Sequence, residues 1–112
     1  MDTFEILSQL CSAAGVSGAE GSAAEAAAKL LEEYGEVTLD NALGSVICKV
    51  GSWADGKPVM LLDAHIDEIG MIVTYITEDG FLKISGCGGL DTRLLLAQQV
   101  TVYGKEKLTG IV

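Results

Sequence analysis

The stretch LLDAHIDEIGM, Leu61 to Met71, carries the chain's single histidine, His65, with Asp63 and Asp67 two residues to either side and Glu68 next to Asp67. Neutral imidazole is a common transition-metal ligand. A carboxylate that accepts the proton of its second nitrogen fixes the tautomer and raises the basicity of the ring. On an extended strand, side chains alternate, so Asp63, His65 and Asp67 share one face and Ala64, Ile66 and Glu68 the other. Three polar groups are therefore expected to converge. A lone histidine near acids is also a common surface or ion-paired residue, and the spacing alone leaves both readings open. The placement favours the metal reading: Val59 to Leu62 are apolar at four successive positions, as in a central strand covered on both faces. Open α/β sheets keep their sites at the carboxyl ends of such strands.

The elements that must position this segment are short. Phe4, Leu7, Leu10 and Cys11 fall on one helical face, with Asp2 as N-cap, Glu5 three residues on and Gly15 as the stop. A second, Ala-rich helix is expected from SGAEGSAAEAAAKLLEEYG, capped by Ser17 with Glu20 or by Ser22 with Glu25 and ending at Gly35. Its glutamates, Glu20, Glu25, Glu32 and Glu33, read as a solvated face. EVTLD, SVICKV and PVMLLDAH then read as strands separated by turns. Helices followed by a buried strand predict a layered α/β domain. From Gly70 the pattern becomes all β: MIVTYITEDGFLKISG predicts a hairpin turning at Glu78, Asp79 and Gly80, and QQVTVYG and KLTGIV continue as strands. Gly86, Gly88 and Gly89 read as a tight turn rather than a phosphate cradle, since no helix pattern follows them, and Asp91 is expected to cap that turn.

Composition narrows the partners. The formal charge is −9, and residues 1–44 carry eight acids against Lys29 alone. Such a field repels phosphate backbones and anionic lipid heads, which excludes nucleic acid and a membrane surface as partners and suits a cationic metal. No apolar run approaches the roughly 20 residues of a membrane span. Cys11, Cys48 and Cys87 are widely spaced, form no C-x-x-C pair and read as small buried hydrophobes, which fits a reducing, cytoplasmic setting. At 112 residues the chain should bury about two thirds of its unfolded surface. The mean hydropathy of +0.39 is high for that size and points to apolar surface that further protein covers, whether additional sequence or another subunit.

AHIDEIGMIV, then GFLKISGCGGLDTRLLLAQQVTVYGK, then LTGIV resemble the M42 family of metallo-aminopeptidases, the glutamyl aminopeptidase and tetrahedral aminopeptidase group. AAGVSGAEG and LDNALGSVICKV fit that family's opening. The resemblance implies a fold of the α/β class in which residues 1–69 are the N-terminal part of a layered catalytic metallopeptidase domain. Residues 70–112 are then the first, incomplete part of an inserted β-rich dimerisation domain. It implies two divalent metal ions, zinc or cobalt, with His65 as a metal ligand and Asp67 as the catalytic-centre acid that orients it. Glu68 falls where the family varies and is taken as structural. Asp63 stands where a small residue is usual, and is a candidate supporting acid. The family's D-x-x-G-N loop is altered, with Asn41 and Ser45 at two of its places and Asp40 one residue early.

The remaining ligands and the general base of that family lie beyond the insert. The chain is therefore expected to be an N-terminal piece, inactive alone and holding no metal tightly, of a cytoplasmic homo-oligomeric enzyme that removes N-terminal residues from short peptides. The rival reading is a non-catalytic oligomerisation module in which the tail from Gly70 supplies the interface and the H-x-D is idle.

Overall fold

The computed structural model describes residues 2–112 as a mixed helix and strand chain. It consists of α1 (Thr3–Ser12), α2 (Gly21–Leu31), β1 (Glu36–Leu39), β2 (Val46–Lys49), β3 (Gly70–Ile76), β4 (Leu82–Cys87), a 3-10 turn (Thr92–Leu94), β5 (Gln99–Tyr103) and β6 (Lys107–Ile111). The strands form three separate antiparallel hairpins, β1–β2, β3–β4 and β5–β6.

α1 begins as its sequence requires. Asp2 accepts from the Glu5 amide at 2.8 Å, and the Glu5 carboxylate returns to the Asp2 amide at 3.1 Å, so two amides that a helix start leaves unpaired are satisfied. The helix ends at Ser12 rather than Gly15. Its packed side chains are Ile6 and Leu10, which meet Ala27, Leu30, Leu31 and Tyr34 across a cleft of about 240 Å³. Phe4, Leu7 and Cys11, expected on the buried face, stay exposed, because α1 has one neighbour, α2, and one neighbour covers only one side.

α2 carries the core, which is small: Ala23, Ala24 and Ala28 are its buried side chains. Alanine at these positions lets the helix approach β1 and β2 closely. Neither expected capping box forms; Glu20 is the N-cap, without a side-chain cap bond, and the Ser17 hydroxyl is committed elsewhere. The helix closes at Leu31, one turn before Gly35. Gly35 is held by a close approach instead, since a Cβ there would collide with the Lys49 carbonyl of β2. The altered β1–β2 loop is built by Asp40, whose carboxylate accepts from Ala42 and Leu43 amides at 3.2 and 2.9 Å while its own backbone bonds to Ser45 and Gly44.

The β3–β4 hairpin turns where expected, with Gly80 at φ 85° and its amide bonded to the Thr77 carbonyl. Asp91 caps the 3-10 turn, accepting from the Arg93 amide and holding its guanidinium at 2.7 Å. The expected central strand is absent: Val59 to Leu62 joins no ladder, and Met60, Leu61 and Leu62 are 85%, 84% and 87% exposed. A strand is held by hydrogen bonds from neighbours, and no described segment pairs with this one. The expected burial fails for the same reason. The chain exposes 9311 Å², whereas a compact domain of 11.7 kDa leaves about 5,900 Å². Its radius of gyration is 18.0 Å against about 13 Å for a compact chain of this length.

Candidate functional site

The histidine segment is anchored at one end by a parallel bridge between Val16 and Glu68. The Glu68 amide donates to the Gly15 carbonyl at 2.8 Å, the Ser17 amide to the Glu68 carbonyl at 3.4 Å, and the Gly15 amide to a Glu68 carboxylate oxygen at 3.2 Å. Two glycines permit the approach. A Cβ on Gly70 would lie 2.5 Å from a Val16 methyl, and one on Gly15 would lie 2.9 Å from the Ala23 Cβ. The α1–α2 loop is thereby fastened to the residues just after His65.

Within this clamp His65 and Asp67 meet. The imidazole Nδ1 lies 3.0 Å from Asp67 Oδ1 and 3.1 Å from the Asp67 carbonyl. Two acceptors at one nitrogen assign the proton to Nδ1 and leave Nε2 with a free electron pair. The other Asp67 oxygen accepts from the Ser17 hydroxyl. The Ser17 hydrogen bond first, and the His65 contact second, hold the Asp67 carboxyl below the usual carboxylate range. The His65 side chain is 86% exposed and that of Asp67 41%, and they border an open trough that runs from α1 past Leu43 to Asp63.

The expected three-way convergence does not occur. Among the described residues no group of three or more His, Cys, Asp or Glu side chains is placed to hold a metal ion. Asp63 borders the trough without joining the His65–Asp67 pair. Strict alternation of faces applies to a pleated strand, and residues 58–66 form none. The described residues present one imidazole with an open Nε2 and a carboxylate on its other nitrogen, and not a complete coordination shell. Glu68, expected to be structural, serves the clamp. Ser17 was read as a helix cap and not as part of the site. The available signal was its place in AAGVSGAEG, where two rival caps for one helix left one of them free for other work.

Residues 44–112 match the family model of the M42 glutamyl aminopeptidases. The chain is 34% identical over 112 residues to the putative aminopeptidase FrvX of Escherichia coli strain K12, covering 97% of this chain and 30% of that protein. The TET aminopeptidase of the marine sediment archaeon Thaumarchaeota archaeon SCGC AB-539-E09 superposes with a TM-score of 0.82 at 34% identity, over 96% of this chain and 30% of that one. PhTET1-12s, solved as a dodecamer, superposes with a TM-score of 0.82 at 33% identity, over 97% of this chain and 32% of that one. The chain thus spans about a third of the length of the relatives it matches.

Proposed function

The chain belongs to the M42 glutamyl aminopeptidase family, and from that premise we propose that it supplies the first metal ligand and its orienting acid to an aminopeptidase acting on short peptides. The observation that carries this reading is the contact of His65 Nδ1 with Asp67, which leaves Nε2 as an electron-pair donor at the edge of an open trough. In this reading His65 would hold one of a pair of divalent ions, zinc or cobalt. Bound there, such ions polarise a scissile carbonyl and lower the pKa of a water. Asp67 keeps the ring oriented and its tautomer fixed, and the clamp keeps Asp67 in place. The remaining ligands and the general base come from outside these residues, so the chain by itself is inactive and binds zinc weakly.

Residues 1–69 are read as part of the catalytic domain and residues 70–112 as the start of a β-rich dimerisation domain. The β3–β4 and β5–β6 hairpins support the second assignment only in its β character. A homo-oligomer is proposed because the chain leaves some 3,400 Å² more surface exposed than a compact domain of its mass, and because one structural neighbour is a dodecamer. The same surface favours the second reading, an assembly module with an idle H-x-D. Cytoplasmic placement rests on Cys11, Cys48 and Cys87 all being free thiols. Among the described residues no helix is long and apolar enough to cross a membrane.

The test is a chimera of this chain with the remaining two thirds of FrvX, assayed on aminoacyl-anilides with zinc or cobalt. Hydrolysis that His65→Ala abolishes supports the enzyme reading. A folded, oligomeric chimera that binds metal and stays inactive, or whose activity survives His65→Ala, overturns it in favour of the assembly module.

A further inference from the structure

The Ser17 hydroxyl has no part in capping α2, whose N-cap is Glu20, yet the loop that holds it is fixed on both sides. Before it, the Glu68 amide donates to the Gly15 carbonyl and the Gly15 amide donates to the Glu68 carboxylate. After it, Gly18 takes a φ of 88° and donates to the Glu20 carboxylate, and the Ala19 amide closes on the Val16 carbonyl at 2.7 Å. The hydroxyl so held donates to Asp67 Oδ2, while Asp67 Oδ1 faces His65 Nδ1. A half-exposed carboxylate with one partner is free to rotate about its last bond; one with a different partner at each oxygen is not.

We propose that Ser17 is a positioning residue for His65: by holding Asp67 Oδ2 it aims Oδ1 at Nδ1–H, and so keeps Nε2 as the bare, ligating nitrogen. The use made of that nitrogen rests on the aminopeptidase reading, but the positioning does not. Ser17 touches no reacting atom. It acts through Asp67, and Asp67 acts through the ring. Two residues 50 positions apart in sequence are in this way joined to a third by hydrogen bonds across a glycine-permitted contact.

The protein has one histidine, so its imidazole nitrogens give a single, unambiguous set of ¹⁵N signals. The experiment is a long-range ¹H–¹⁵N spectrum of the full chain at pH 8.5, without metal or substrate, for wild type, Ser17→Ala, Ser17→Thr and Asp67→Asn. The Glu68 amide exchange rate is followed in parallel as a monitor of the clamp. The wild type should show protonated Nδ1 and bare Nε2. Ser17→Ala should shift the tautomer ratio toward Nε2–H by on the order of threefold, the scale of one modest hydrogen bond, with Glu68 protection unchanged. Ser17→Thr, which keeps the hydroxyl, should restore the wild-type ratio.

An unchanged ratio in Ser17→Ala overturns the proposal, whatever Asp67→Asn does. So does a shift that comes with loss of Glu68 protection and is not rescued by threonine, because Ser17 would then only close the loop. An inactive chimera would sink the aminopeptidase reading and leave these spectra intact, so the two failures are distinguishable.

Discussion

Two neighbouring segments of this chain meet opposite fates. Residues 67–70 are pinned to residues 15–17 by a parallel bridge, four close hydrogen bonds and two glycines that admit a Val16 side chain and the Ala23 methyl. Residues 58–66, directly before them, are the more apolar and the more strand-like by composition, yet run exposed without a ladder. The difference is one of partners. An extended segment leaves its backbone groups unpaired until a neighbour supplies the other half of each bond. For residues 67–70 that neighbour lies in the α1–α2 loop, and for residues 58–66 it does not lie among the described residues. Apolar content specifies that a segment be covered and is silent on what covers it.

The sharpest way to test the comparison is to add one methyl group where the backbone is closely packed, within the clamp at Gly70 and, as a reference outside it, at Gly35. Gly35→Ala forces a Cβ into the Lys49 carbonyl, where backbone and not a flexible side chain must yield, and should cost about 3 kcal/mol or more. Gly70→Ala presses on the stiff, branched Val16 and should cost about 1–3 kcal/mol. Leu61→Ser, in the open segment, should stay within about 0.5 kcal/mol. Urea unfolding of the three variants checks the order, and equal costs at Gly70 and Leu61 would erase the contrast.

A second prediction concerns what covers the open segment. At about 100 µM the chain should sediment as species heavier than its 11.7 kDa, since exposed leucines at 61 and 62 and apolar residues of the tail such as Ile111 each gain about 1.5–3 kcal/mol if buried. Leu61→Ser and Ile111→Ser report separately on the two surfaces, and each should weaken association about tenfold if its surface takes part. The tail is expected to matter more, being already paired into ladders and presenting a formed edge. A clean monomer would show that neither surface finds a partner in its own kind.

How much of this was legible beforehand follows the same division. The Asp2–Glu5 capping box, the hairpin turning at Gly80 and the strands of the other two hairpins depend on residues within a few positions of each other, and local chemistry is written locally. The contact of His65 with Asp67 is of that kind too, two residues apart. Asp91, expected to cap the glycine turn before it, instead caps the 3-10 turn after it. Ser17 was misread because its partner is 50 residues away, and a serine before a helix has a simpler use as a cap. The segment Val59 to Leu62 carries a strand's apolar pattern, yet no described residue pairs with it. The convergence of Asp63 failed with it, since alternation of faces is a property of a pleated strand.

Acid should open the clamp from the Asp67 side. The carboxyl of Asp67 sits below the usual range, first through Ser17 and then through His65, so the unfolded chain binds its proton more readily than the folded one. The stabilisation is therefore present above the unfolded value of about 3.9 and is lost as pH falls through the lower folded value. Exchange of the Ser17 and Glu68 amides should accelerate over that window in wild type, beyond the change shown by Asp67→Asn, which has no carboxylate to protonate there. Parallel behaviour of the two proteins would detach Asp67 from the clamp.

The smallest expected effect lies in the tail, at a point where neither region's logic of partners applies. Ala97 adopts φ 62° while its amide donates to the Val112 carbonyl at 2.8 Å, so the chain holds a residue with a Cβ in left-handed backbone in order to close the start of β5 onto the end of β6. That conformation costs an L-residue about 1–2 kcal/mol, whereas glycine adopts it freely but loses about 0.5–1 kcal/mol more on ordering than alanine does. Ala97→Gly should therefore stabilise the β5–β6 hairpin by no more than about 1 kcal/mol, seen as a small rise in the urea midpoint with its slope unchanged. Ala97→Val, with a branch at Cβ in the same conformation, should lower it. The pair separates backbone strain from side-chain packing: if glycine lowers the midpoint as valine does, the Ala97 methyl contributes contacts that outweigh its strain, and the tail is held more by packing than by the hydrogen bond to Val112.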